Sequence, residues 1–91
     1  MTDEVRDNRE EHRFELTVDG QRAEAYYTLE GKVLTFTHTD VPQVLSGRGV
    51  GSRLIKGALD QARTRGLKVK ATCPFVSAYL GKHAEYGDLI A

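Results

Sequence analysis

Residues 46 to 54 read SGRGVGSRL, with Gly47, Gly49 and Gly51 alternating with Arg48 and Val50 directly ahead of an apolar helical pattern. Glycine is costly wherever order is wanted, so three in five positions call for a chemical reason. Consecutive backbone N–H groups at a helix start face an anion without competition. The helix dipole adds roughly half a positive charge there. Amides between Gly47 and Ser52 would cradle a phosphate or diphosphate, and Arg48 and Arg53 would add charge-assisted contacts. Two familiar phosphate loops fit poorly. A Walker A loop ends in Gly-Lys-Ser/Thr, whereas this stretch runs Gly51-Ser52-Arg53. A dinucleotide fingerprint needs a third glycine where Ser52 stands.

Other side chains could move protons or acyl groups. Cys73 closes a strand pattern beside a helix start, where a thiol is acidified; the alternative is a small buried hydrophobe. His38 is of the residue type that suits a general base at neutral pH, or it stands as an ordinary core or surface histidine. Tyr79 carries a hydroxyl on an apolar helical side, where it is also a core candidate.

Alternation and turn chemistry supply the elements that hold these residues. Residues 1–12 lack periodicity and read as a mobile or weakly structured arm ahead of a single domain, 13–91. Phe14, Leu16 and Val18 alternate with polar residues, and Asp19-Gly20 is a two-residue hairpin turn. Ala23, Ala25, Tyr27 and Leu29 share one face of a second strand, and Glu30-Gly31 is read as the next turn. Leu34, Phe36 and His38 then alternate against Val33, Thr35 and Thr37 until Pro42 ends the third strand. From Val50 the period becomes helical through Leu54, Ala58 and Ala62, with Gly66 as the natural stop. Leu67, Val69, Ala71 and Cys73 form a fourth strand. Pro74 opens a short helix whose apolar side holds Val76, Tyr79, Leu80 and His83, with His83 read as structural.

The predicted order is β-β-β-α-β-α, a mixed α/β sheet. A right-handed β-α-β unit places the glycine loop at a strand's carboxyl end, where open α/β sheets bind ligands.

Ninety-one residues with a 40% apolar share make one small globular domain. No apolar run approaches membrane-spanning length, the charged start is no signal peptide, and the expectation is a cytoplasmic protein without membrane contact. Cys73 is the sole cysteine, which excludes an intrachain disulfide and a cysteine-based metal site; no metal is expected. Net charge is zero, yet residues 1–45 hold ten acids and five bases, and residues 46–91 three acids and eight bases. That polarity suits an anionic ligand on the second half. The bases are scattered without interleaved aromatics, which excludes a nucleic-acid footprint.

The stretch SGRGVGSRL after a strand resembles motif A of the GNAT superfamily of N-acetyltransferases, Gln/Arg-x-x-Gly-x-Gly/Ala. Gly49 and Gly51 match its glycines, and Ser46 stands at its leading position. Together with HTDVP and CPFVSAYLGKHAEYGDL, the chain resembles the small single-domain GNAT-like branch over about residues 13 to 91.

The resemblance implies a minimal GNAT-like fold and transfer of acetyl from acetyl-CoA to a primary amine, small or on a protein. The alternative is a CoA-binding module or sensor without catalysis. It implies that the loop amides hold the CoA pyrophosphate and that the preceding strand, down to Val41, pairs with pantetheine. Cys73 would lie near the acyl thioester, Asp40 would act as base or orient the amine, and Tyr79 would protonate the leaving thiolate. Tyr86 is a poorer candidate for that last role. Larger relatives carry extra elements around the acceptor site, so here that site is expected to be shallow, or completed by a homodimer or partner protein.

Overall fold

The computed structural model describes residues 4–91. The chain forms one five-stranded sheet in the order β1-β2-β3-β4-β5, from β1 (Arg6–Asn8), β2 (Arg13–Val18), β3 (Gln21–Glu30), β4 (Val33–Asp40) and β5 (Lys68–Ala71). The first four strands are antiparallel; β4 and β5 are parallel and joined through helix α1 (Val50–Thr64). Helix α2 (Pro74–Lys82) follows β5, and short 3-10 helices cover Gln43–Leu45 and Ala84–Leu89. The mixed α/β architecture of the sequence reading is therefore present, with one strand more.

That strand corrects the reading of residues 1–12 as an arm. Arg6–Asn8 pair with Glu15, Phe14 and Arg13, and Met1–Asp3 lie outside the described residues. Three residues are too short to show a period. Their order comes from distant partners: Asp7 accepts from Tyr27 Oη at 2.6 Å and from Arg65 at 2.8 Å. Gln61 Nε2 donates to the Val5 carbonyl at 2.7 Å, tying the entering chain to α1.

The local turn chemistry is mostly as read. Asp19 and Gly20 have φ of 49° and 76°, the primed geometry that matches strand twist. The second hairpin sits one residue later than expected, because Glu30 still pairs with Val33 and the loop is Gly31-Lys32. Helix α1 ends in a Schellman motif: Gly66 N donates to Arg63 O and Leu67 N to Ala62 O.

Val50, Leu54, Ile55, Ala58, Leu59 and Ala62 bury the apolar stripe of α1 against the inner sheet face of Phe14, Leu16, Ala25, Tyr27, Leu34 and Phe36. Val76 and Tyr79 of α2 join the same core, while Leu80 and His83 are only half-buried. The other sheet face carries charge. Arg13 Nε donates to the buried Glu15 at 2.7 Å, and Tyr26 Oη to Glu24 at 2.8 Å. No helix is long and apolar enough to cross a membrane among the described residues.

One irregularity reorganises the site. In the β3–β4 ladder Tyr26 opposes His38 and Tyr27 opposes Phe36, so Thr37 is an extra residue, a β-bulge. A one-residue insertion reverses every later side chain. His38 therefore leaves the face of Leu34 and Phe36, contrary to the alternation reading. It lies exposed on the outer face beside Tyr26, with ring centroids 5.9 Å apart.

Candidate active site

The site begins where β4 outruns its partner. Parallel pairing with β5 stops at Phe36↔Ala71, and Phe36 O then accepts from the amides of both Thr72 and Cys73. β4 continues from Thr37 to Asp40, paired with β3 alone. A free strand edge thus runs from the bulge toward the glycine loop.

At the end of that edge, Gly49 caps α1 in the left-handed conformation (φ 71°, ψ 16°), and Gly47 has φ 81°. A side chain at either would meet open space, so both glycines serve backbone conformation. Gly51 is helical, and its reason differs: an added Cβ would lie 2.8 Å from the Phe75 ring. The three glycines thus answer to two separate constraints. No side chain caps α1 and no acid occupies its first turn. Among the described residues the amides of Val50, Gly51 and Ser52 find no backbone acceptor. These are the donors an anion would use. They open into a hollow of ≈ 250 Å³ lined by Val41, Leu45, Ser46, Gly47, Ser52 and Phe75 with the remaining loop residues.

The two arginines are placed less directly. Arg48 reaches back to Asp19 at 2.8 Å, both side chains exposed, and it does not line the hollow. An exposed ion pair contributes little, so Arg48 can exchange Asp19 for a phosphate at small cost. Arg53 lines a different hollow with Val5, Lys56 and Gly57, away from the loop.

The candidate catalytic residues separate onto two faces. Cys73 is the N-cap of α2 and 5% exposed, its Sγ 3.4 Å from Thr39 Oγ1. Burial alone would raise its pKa. The Thr39 hydroxyl and the amides of Val76 and Phe75 outweigh that and hold the thiol below its ordinary value. His38 and Asp40 lie on the outer face, because Asp40 opposes Glu24 as His38 opposes Tyr26. Neither makes a hydrogen bond with Cys73 among the described residues.

Tyr79 stands apart from both groups. Its ring stacks on His83 at 3.9 Å in a second hollow, of ≈ 200 Å³, lined also by Ser52, Phe75, Ala78 and Lys82. Burial raises the Tyr79 pKa, and its hydroxyl has no hydrogen-bond partner among the described residues. Tyr86 is committed to structure, donating to Asp60 at 2.7 Å.

Thr39 and Phe75 were missed from sequence. Thr39 joins the inner face only through the bulge, which no residue pattern announces. Phe75 carried one signal: a large aromatic directly after a helix-opening proline, outside the apolar stripe of Val76 and Tyr79. Among the described residues no group of side chains could hold a metal ion.

Comparison with known proteins agrees with this geometry. The family described as GCN5-related N-acetyl-transferase matches residues 13–89. Protein NATD1 of Mus musculus is 33% identical over 79 residues, which cover 84% of this chain and 72% of that protein. Protein NATD1 of Gallus gallus is 32% identical over 80 residues, covering 85% and 73%. The NMR solution structure of a GCN5-like protein from Staphylococcus aureus superposes with a TM-score of 0.75 at 30% identity, covering all of this chain and 91% of that one. The free β4 edge, the glycine-capped helix and these matches have one conclusion: the chain belongs to the GCN5-related N-acetyltransferase family.

Proposed function

We propose that this protein transfers acetyl from acetyl-CoA to a primary amine. The observation that carries the reading is the free edge of β4, Thr37–Asp40, leading into a hollow floored by unpartnered helix-start amides. The amides of Val50, Gly51 and Ser52 take the pyrophosphate, with Arg48 as a mobile second contact. Val41, at the mouth of the hollow, and the strand edge take the pantetheine arm by main-chain hydrogen bonds. An N–H of that edge polarises the thioester carbonyl.

Acyl transfer forms a bond from the amine nitrogen to the carbonyl carbon, breaks the C–S bond, and releases one proton from the amine. His38 and Asp40, exposed on the outer face beside the bulge, take that proton directly or through water. Cys73 lies on the inner face with its thiol held below its ordinary pKa by Thr39, and in this reading it accepts the acyl group from the CoA sulfur and passes it to the amine, or holds the thioester end. Tyr79, whose hydroxyl has no hydrogen-bond partner among the described residues, protonates the departing thiolate. The acceptor is a small or protein-borne amine at the shallow outer face, with a homodimer or partner protein completing its site.

The second reading is CoA binding without turnover. It is favoured by the separation of His38 and Asp40 from Cys73, which leaves no assembled nucleophile–base pair. Turnover of acetyl-CoA against a panel of amines, followed by release of free CoA thiol, decides between them. Acetylated product with any amine supports transfer; tight CoA binding with no turnover across the panel supports the module. Absence of CoA binding overturns both.

A further inference from the structure

The hollow that holds Tyr79 carries a primary amine of its own. It shares Ser52 and Phe75 with the glycine-loop hollow, so the two adjoin at the Phe75 ring. The Tyr79 side chain is buried, at 8% exposure, yet its hydroxyl has no hydrogen-bond partner among the described residues. A buried tyrosine ordinarily satisfies its hydroxyl within the protein; this one lines the hollow with it unpaired. Lys82 and His83 line the same hollow. They stand three and four positions after Tyr79, the spacings at which helical side chains are neighbours.

Lys82 differs from the chain's other lysines. Lys56 is held by Asp60 at 3.0 Å, and Lys68 donates to the Asp88 carbonyl at 2.6 Å. Lys70 lines a separate hollow beside β5. Lys82 is exposed in the last turn of α2, with no ion pair or hydrogen bond among the described residues. The helix dipole favours a cation there, which explains its presence but not its place beside an unpaired phenol.

We propose that Lys82 is an acceptor of the protein's own transfer reaction, so that the chain acetylates itself at this residue. The proposal rests on the transfer reading above, and Tyr79 keeps the role it has there. The Lys82 ammonium loses one proton to His83 or water, and its nitrogen attacks the thioester carbonyl. The C–N bond forms, the C–S bond breaks, and the second nitrogen proton leaves for water. The CoA thiolate takes the Tyr79 proton, which solvent restores. An amine tethered beside the thioester reacts at a high effective concentration.

The test is incubation of the full chain with acetyl-CoA and no added amine, followed by intact mass and peptide mapping. Wild type should gain one acetyl group at Lys82, about tenfold faster than at the exposed Lys70. The rate per chain should not change with protein concentration. Lys82→Arg should abolish this gain, and Lys70→Arg should leave it unchanged. Tyr79→Phe, which keeps a ring stacked on His83, should slow it about tenfold or more. Acetylation spread evenly over the exposed lysines overturns the proposal while leaving the transfer reading intact. So does a rate per chain that grows with protein concentration, a wild-type rate in Tyr79→Phe, or an unmodified Lys82 in a protein that acetylates an added amine. If CoA binds but neither Lys82 nor any added amine is acetylated, the transfer reading itself fails and this proposal with it.

Discussion

Gly49→Ala and Gly51→Ala separate the two constraints that the glycine loop obeys. At Gly49 a Cβ meets nothing within 4 Å, so the whole cost is conformational, from φ 71°. Holding an L-residue there costs about 1–2 kcal/mol. For a domain of this size each 1 kcal/mol lowers Tm by roughly 4–8 °C, so Gly49→Ala should melt about 5–15 °C below wild type. The strain is relieved only if residue 49 leaves the left-handed region. That reorients the carbonyl accepting from Arg53 N at 3.1 Å and the amides beyond it. CoA affinity should therefore fall together with stability. Gly51 is ordinary helix, where alanine is favoured by up to about 1 kcal/mol. Its new Cβ would lie 2.8 Å from Cζ of Phe75, an exposed ring end that can swing aside. Gly51→Ala should melt within about 3 °C of wild type, while CoA binding weakens through the displaced ring between the two hollows. Circular dichroism melts and calorimetric CoA titration measure both effects. A Gly49→Ala protein with wild-type Tm and wild-type CoA affinity would refute the assignment of the left-handed cap to the anion site.

Three further outcomes are expected. Thr39→Val should move the Cys73 thiol titration to higher pH, followed by thiolate ultraviolet absorbance, because the Thr39 hydroxyl favours the ionised sulfur; an unmoved titration removes that hydrogen bond from the account. Gly57→Ala should gain no stability despite alanine's better helix propensity, because the new Cβ would lie 2.6 Å from Val5 Cβ; hydrogen exchange should show Arg6–Asn8 losing protection, and a stabilised variant with β1 intact contradicts this. Stability should fall on acidification through the folded-state titration of Glu15 and Asp60. For both, burial would raise the pKa, but it is outweighed, at Glu15 by Arg13 and Asn8 and at Asp60 by the Tyr86 hydroxyl and Lys56. A depressed folded pKa means stabilisation that is present above the unfolded values of 4.5 and 3.8 and lost below them. Glu15→Gln should flatten the acid limb of a Tm–pH curve, and an unchanged limb excludes Glu15 as its source.

Sequence alone determined what neighbours in the chain decide. The Asp19-Gly20 hairpin, the buried stripe of α1, the stop at Gly66 and the glycine loop at a helix start all depend on residues one to four apart. Backbone sterics, side-chain period and helix-end hydrogen bonding act over that range. Tertiary structure decided the rest. Strand β1 exists because Asp7 meets Tyr27 and Arg65, partners 20 and 58 positions away. The bulge at Thr37 is an offset between two strands, invisible in either strand by itself. It alone sends His38 and Asp40 to one face and Thr39 to the other, against Cys73. Gly51 was legible as a glycine that mattered, but its reason lies in Phe75, brought there by the path of β5 and the entry into α2. The hollow holding Lys82 is formed where α1 and α2 pack side by side. Local chemistry names the candidate residues, and long-range packing assigns them to a face.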